Sequence, residues 1–134
     1  MTFTILGTAA AEGWPALWCP CEACREAARL GGRNIRRRTA YQLGDRIKVD
    51  FGPDAFAQML EFGLEYDRLE HLLFTHSHFD HLSPDEVAYR REGFSQLQPD
   101  SELNIYGNDS VRAKLLSAGH SFETCKARFV PITP

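Results

Sequence analysis

Three of the chain's five histidines fall in one short stretch, Thr75-His76-Ser77-His78-Phe79-Asp80-His81. Neutral imidazoles and a carboxylate are ligands for a borderline divalent ion such as zinc, and with coordination positions left open they suit catalysis better than pure structure. Alternation along an extended segment puts His76 and His78 on one side. Asp80 and His81 follow once the chain has begun to turn, so they can face a second ion beside the first. Two ions about 3.5–4 Å apart would clamp an attacking hydroxide and a leaving oxygen. Asp80 is also the candidate catalytic residue, because its carboxylate can accept a proton from the nucleophile. A surface turn that is merely rich in histidine is the bland alternative, and the ligand types and their spacing favour ligation over it.

A second constellation is Cys19-Pro20-Cys21-Glu22-Ala23-Cys24. Three thiolates at this spacing can converge on one ion. A structural zinc is closed and four-coordinate, so a fourth ligand has to come from elsewhere, with Cys125 and His120 as candidates. Buried free cysteines pack as small hydrophobes, but clustering favours metal. Mutual disulfides among the three would be strained, and a bridge to Cys125 is the weaker option. Asp50, at the tip of an expected strand, can either orient a metal-bound imidazole through its ring N–H or serve as an ordinary cap. The basic run Arg33-Asn34-Ile35-Arg36-Arg37-Arg38 reads as a solvated loop that could also supply cations to a phosphate. Trp14 and Trp18 are expected to pack beneath a long loop.

Rigid elements must present these groups. The apolar run Leu72-Leu73-Phe74 reads as a buried strand within 69–75. Ser83, Pro84 and Glu86 mark a helix start with a capping box, predicting a helix over 84–91. Upstream, residues 2–6 form an expected first strand, and a helix runs from Cys21 toward Leu30 until Gly31-Gly32 stops it. Strands at 39–43 and 46–51 are joined through Gly44-Asp45, a two-residue turn signal. Phe56, Met59, Leu60 and Leu64 recur at helical spacing in a helix over 53–62. Strands at 103–106 and 127–132 flank a helix that starts at Asn108 or Asp109 and stops near Gly119. His71 is read as structural.

The 134 residues fit one domain, 1–134, of ordinary globular composition. A net charge of −3 gives no global case for nucleic acid or an anionic membrane. Nothing is apolar enough to be a membrane span or resembles a signal peptide, so a cytoplasmic protein is expected.

His76-x-His78-x-Asp80-His81 resembles the signature of the metallo-β-lactamase superfamily of metal-dependent hydrolases. Leu6-Gly7-Thr8, Trp14-Pro15, the three cysteines, Arg37-Arg38-Thr39 and Val49-Asp50-Phe51-Gly52 are similar, in the same order, to the PhnP-like phosphodiesterase branch, which includes a relative in quinone-cofactor biosynthesis. The resemblance implies half of an αββα sandwich, that is, an α/β (α+β) fold with one mixed β-sheet and helices on one face. It implies two divalent ions, zinc or manganese, with His76 and His78 on the first, Asp80 and His81 on the second, and Asp50 supporting them. Cys19, Cys21 and Cys24 would hold a structural zinc. A small phosphodiester is the implied substrate; a non-catalytic carrier or an RNA-end nuclease, with nucleic acid as partner, are the rival readings. Members of the branch have a second half that supplies further ligands, so this chain looks like the amino-terminal half. The missing half or a second subunit is expected to cover the sheet's other face.

Overall fold

The computed structural model describes residues 1–133. One mixed six-stranded sheet runs in the order β1 (Phe3–Gly7), β2 (Ala40–Leu43), β3 (Ile47–Val49), β4 (His71–Leu73), β5 (Leu103–Gly107) and β6 (Ala127–Pro131). β1, β2 and β3 pair antiparallel; β3 to β6 pair in parallel. The parallel strands are linked by α2 (Ala55–Phe62), α3 (Pro84–Ala88) and α4 (Asp109–Leu116), and α1 (Glu22–Leu30) follows β1. Because each parallel strand is added on the same side of the last, right-handed crossovers put α2, α3 and α4 on one face. The fold class is therefore α/β, as the sequence implies.

Several boundaries move. Register pairs Leu43 with Ile47, so the β2–β3 loop has Gly44, Asp45 and Arg46, three residues instead of two. Gly44 takes a positive φ of 57° there, a conformation that glycine adopts without steric cost. β4 is shorter than expected because Phe74 leaves the named strand while still donating to Tyr106 O. Ser83 takes the N-cap place and Pro84 the first turn of α3, but Ser83 makes no side-chain capping bond.

The core lies between sheet and helices: Leu72, Leu103 and Ile105 meet Leu82, Val87, Val111 and Leu115. Period-two alternation sends Tyr41, Leu43, Ile47, Val49, Leu73 and Tyr106 to the opposite face, where Phe3 and Ile5 are more than half exposed. No helix of the described residues is long and apolar enough to cross a membrane.

Candidate metal centre

The histidine stretch leaves β4 and tightens into a turn, with His81 N and Leu82 N both donating to His78 O. Leu82, fully buried, anchors it. A parallel bridge then docks the turn on the end of β3: Phe51 N donates to His81 O at 2.8 Å, and Ser83 N to Phe51 O at 2.8 Å. Gly52 fits against this backbone so closely that a Cβ would fall on the carbonyl oxygen of Asp80.

This turn brings ligand atoms of His76, Asp80 and His81 within 4.8 Å of one another. His78 stays outside that group; its exposed ring lies edge-on to His76, with centroids 4.7 Å apart. The structure thus gathers one trio, where the sequence suggested two pairs, because the turn folds His81 back over His76, centroid to centroid 4.1 Å.

Asp50 lies beneath the trio, fully buried and at a positive φ of 61°, a conformation that non-glycine residues hold only where the surroundings enforce it. It accepts from Thr75 N at 2.9 Å and from Thr75 Oγ1, and its Oδ2 lies 2.7 Å from His81 Nδ1. Thr75 Oγ1 is also 3.0 Å from His76 Nδ1. These contacts dictate tautomers. The Thr75 hydroxyl proton goes to Asp50, so Oγ1 accepts from His76 Nδ1–H, and His81 Nδ1–H donates to Asp50 directly. Both Nε2 atoms are then left as acceptors. His81 Nε2 faces Asp80 Oδ2 at 3.3 Å. Two lone-pair donors so placed need a cation between them, so the donor set fits a divalent metal.

Cys19, Cys21 and Cys24 form the second group, with their sulfurs also within 4.8 Å of one another. Cys21 caps α1: its Sγ accepts from Cys24 N at 3.5 Å. That backbone bond, helped by the neighbouring thiols, holds the Cys21 thiol below its ordinary pKa, which favours the metal-binding thiolate. Neither expected fourth ligand belongs to this group. Cys125 is buried in the short turn before β6, where its Sγ lies 3.9 Å from Ala88 O of α3. His120 lies in the loop after α4, outside the group.

Other expectations are corrected. Trp18 is 94% exposed and packs under nothing. The arginine run is partly committed to structure. Arg38 clamps Asp54 through N and Nη1 at 2.7 and 2.9 Å and reaches Ala11 O, while Arg37 pairs with Glu61. His71 bonds Tyr106 OH through Nδ1 at 2.9 Å, in keeping with a structural role. Thr75 and Gly52 stand within the sequence motifs, but their roles at the site come from contacts that only the folded chain creates.

No protein-family profile matches the chain. Among solved structures it is similar to a diphosphatase of the PhnP family (TM-score 0.74, 21% identity, 98% of this chain and 50% of that one). It is also similar to zinc-bound PqqB from Methylobacterium extorquens (TM-score 0.69, 19% identity, 98% and 49%). A third is the metallo-β-lactamase fold protein YhfI from Bacillus subtilis (TM-score 0.58, 16% identity, 98% and 46%). The chain therefore has the metallo-β-lactamase fold and spans about half the length of these structures. A curated octanoyltransferase of Porphyromonas gingivalis (strain ATCC BAA-308 / W83) is 36% identical over 123 residues, covering 86% of this chain and 23% of that protein.

Proposed function

We propose that the protein is a metal-dependent hydrolase acting on a phosphodiester, with the histidine turn as its share of the catalytic centre. The observation that carries this reading is the convergence of His76, Asp80 and His81, with His81 Nε2 and Asp80 Oδ2 facing each other across 3.3 Å. His76, His78, Asp80 and His81 would hold two divalent ions, zinc or manganese, and the three cysteines a structural zinc. When bound, the catalytic ions supply an acidified water and charge neutralisation at phosphoryl oxygens. The chain's own residues do the rest. Asp50 and Thr75 fix the imidazole tautomers, and the buried carboxylate of Asp80 is placed to take a proton from the attacking water. The half-open apolar sheet face calls for a covering layer, either a further half of the protein or a second subunit.

Octanoyl transfer, the activity named for the Porphyromonas gingivalis protein, is not carried over, because the match covers only 23% of that protein. The test joins elemental analysis of the intact natural protein with cleavage of bis(p-nitrophenyl) phosphate. Metal is expected in the purified protein, and His78→Ala or Asp80→Ala should lower turnover by about 100-fold or more. Metal retained without any hydrolysis would instead identify a binding or carrier protein on the same fold. Unchanged turnover in Asp80→Ala would overturn the proposal.

A further inference from the structure

We infer that Leu17, Trp18, Pro20 and Phe79 form a shelf that receives the apolar, ring-bearing arm of the ester cleaved at the histidine turn. This rests on the hydrolase reading and names the class of substrate: a phosphodiester with at least one aryl or similarly apolar arm.

Trp18 is 94% exposed, Leu17 67% and Phe79 58%. They are not scattered singly, for together with Pro20, Ala16 and Glu12 they line one open cavity of about 570 Å³. That size is typical of a small-molecule site, and a contiguous exposed apolar patch marks a place of interaction. The loop that presents it is not loose. Leu17 N donates to Glu12 O and Cys19 N to Ala16 O, both at 3.1 Å, so the side chains are held outward by a folded backbone.

Two connections tie the shelf to the candidate metal groups through the chain. Phe79 lies in the chain between His78 and Asp80, so the cavity and the candidate ligands share one stretch of backbone. On the far side Trp18 directly precedes Cys19, so that wall is continuous in the chain with the cysteine cluster. Charge completes the division of labour. Glu12 is the one charged residue lining the cavity, and it turns an anionic phosphate away from the shelf toward the metal-ligating turn. What remains for the shelf is the uncharged arm of the ester, and Trp18 and Phe79 offer it aromatic faces.

The test compares binding of diphenyl phosphate and dimethyl phosphate to the intact, metal-loaded protein by calorimetry, with benzyl alcohol as an uncharged ring probe. The expected result is a preference for diphenyl phosphate of about tenfold or more, since one aromatic stack plus its buried area is worth about 1.4 kcal/mol. Trp18→Ala and Phe79→Ala should each shrink that preference several-fold and weaken benzyl alcohol. Circular dichroism should show an unchanged fold, because Trp18 supports nothing beneath it. Equal affinity for the two diesters, or a preference untouched by both substitutions, would overturn the shelf. So would a protein whose self-association is abolished by Trp18→Ala, because the patch would then be an interface between copies. If neither diester binds while benzyl alcohol still does so through Trp18, the hydrolase reading fails and the apolar site stands without its ester.

Discussion

The two candidate metal groups are built on opposite plans. Beneath the histidine turn lie a fully buried Asp50, a fully buried Leu82 and a backbone bridge to Phe51, and the imidazoles of His76 and His81 are each oriented by a partner. The cysteine loop has little of this. α1 buries only Cys24 and Ala27, Cys19 and Cys21 lie at the surface, and the backbone bond that orients Cys21 is the cap from Cys24 N to its Sγ. One site is shaped by the protein before any ion arrives. The other has far less of the protein around it, and small thiolate sites of that kind couple ion binding to folding. Pre-organisation of the first kind is what chemistry requires, because ligands must keep their geometry while substrate and water exchange. A closed structural site has no such need.

The sharpest way to break this contrast is Gly52→Ala. A Cβ there would fall on the Asp80 carbonyl oxygen, and backbone cannot step aside as a side chain can. Overpacking of that kind should cost about 3 kcal/mol or more, read as a lower denaturant midpoint, together with loss of metal binding at the histidine turn. A variant of normal stability would show the turn to be as pliant as the cysteine loop.

The support beneath the turn also carries a cost, in Lys48. Its side chain is fully buried among the rings of Phe51 and Tyr66, its Nζ has no hydrogen-bond partner, and burial lowers its pKa to about 7 despite the opposing pull of Asp50. An unfolded lysine titrates near 10.4. Below about pH 7 both states carry the proton and the full penalty for the buried charge is present. As pH rises from there toward the unfolded value, the unfolded chain binds more protons than the folded one, so this group's contribution becomes less unfavourable. Lys48→Met should therefore stabilise the protein by roughly 2–4 kcal/mol near pH 6, with the gain shrinking toward pH 10. Chemical denaturation across that range measures it. A gain independent of pH would mean that packing, not charge, is at issue.

What could be read from the sequence follows the range of the interactions involved. Periodicity and punctuation gave the order of strands and helices, because those signals are local: Gly31 ends α1, and Pro84 opens α3. The histidine and cysteine groups were visible because their members are neighbours in the chain. Asp50 was ambiguous between cap and orienter, since its bond to His81 spans the fold. Gly52 and Thr75 matter through an approach and a relay that only tertiary structure creates. The arginine run illustrates the same limit: its charges were plain, but that Arg38 is taken up by Asp54 and Arg37 by Glu61 depends on where α2 packs. Trp18 misled because large aromatics are usually buried, and here a backbone turn held it outward instead.

The relay through Thr75 offers the finest comparison of the two groups. Thr75→Val keeps shape and keeps the backbone bond from residue 75 to Asp50, but it removes the hydroxyl that links Asp50 to His76 Nδ1. His81 retains its direct bond to Asp50, so only one imidazole loses its tautomer lock. Loss of such an outer partner should weaken metal binding at the histidine turn by about tenfold, the lower end of what these partners contribute. Competition against a chelating dye on the intact protein would read this, and the cysteine group serves as an internal reference in the same titration. Thr75 touches none of the three cysteines, so their affinity should not change. Equal weakening at both groups would mean that the substitution had loosened the fold as a whole. No weakening at either would mean that His76 is held by something other than Thr75, and that the histidine turn is less pre-organised than its hydrogen bonds indicate.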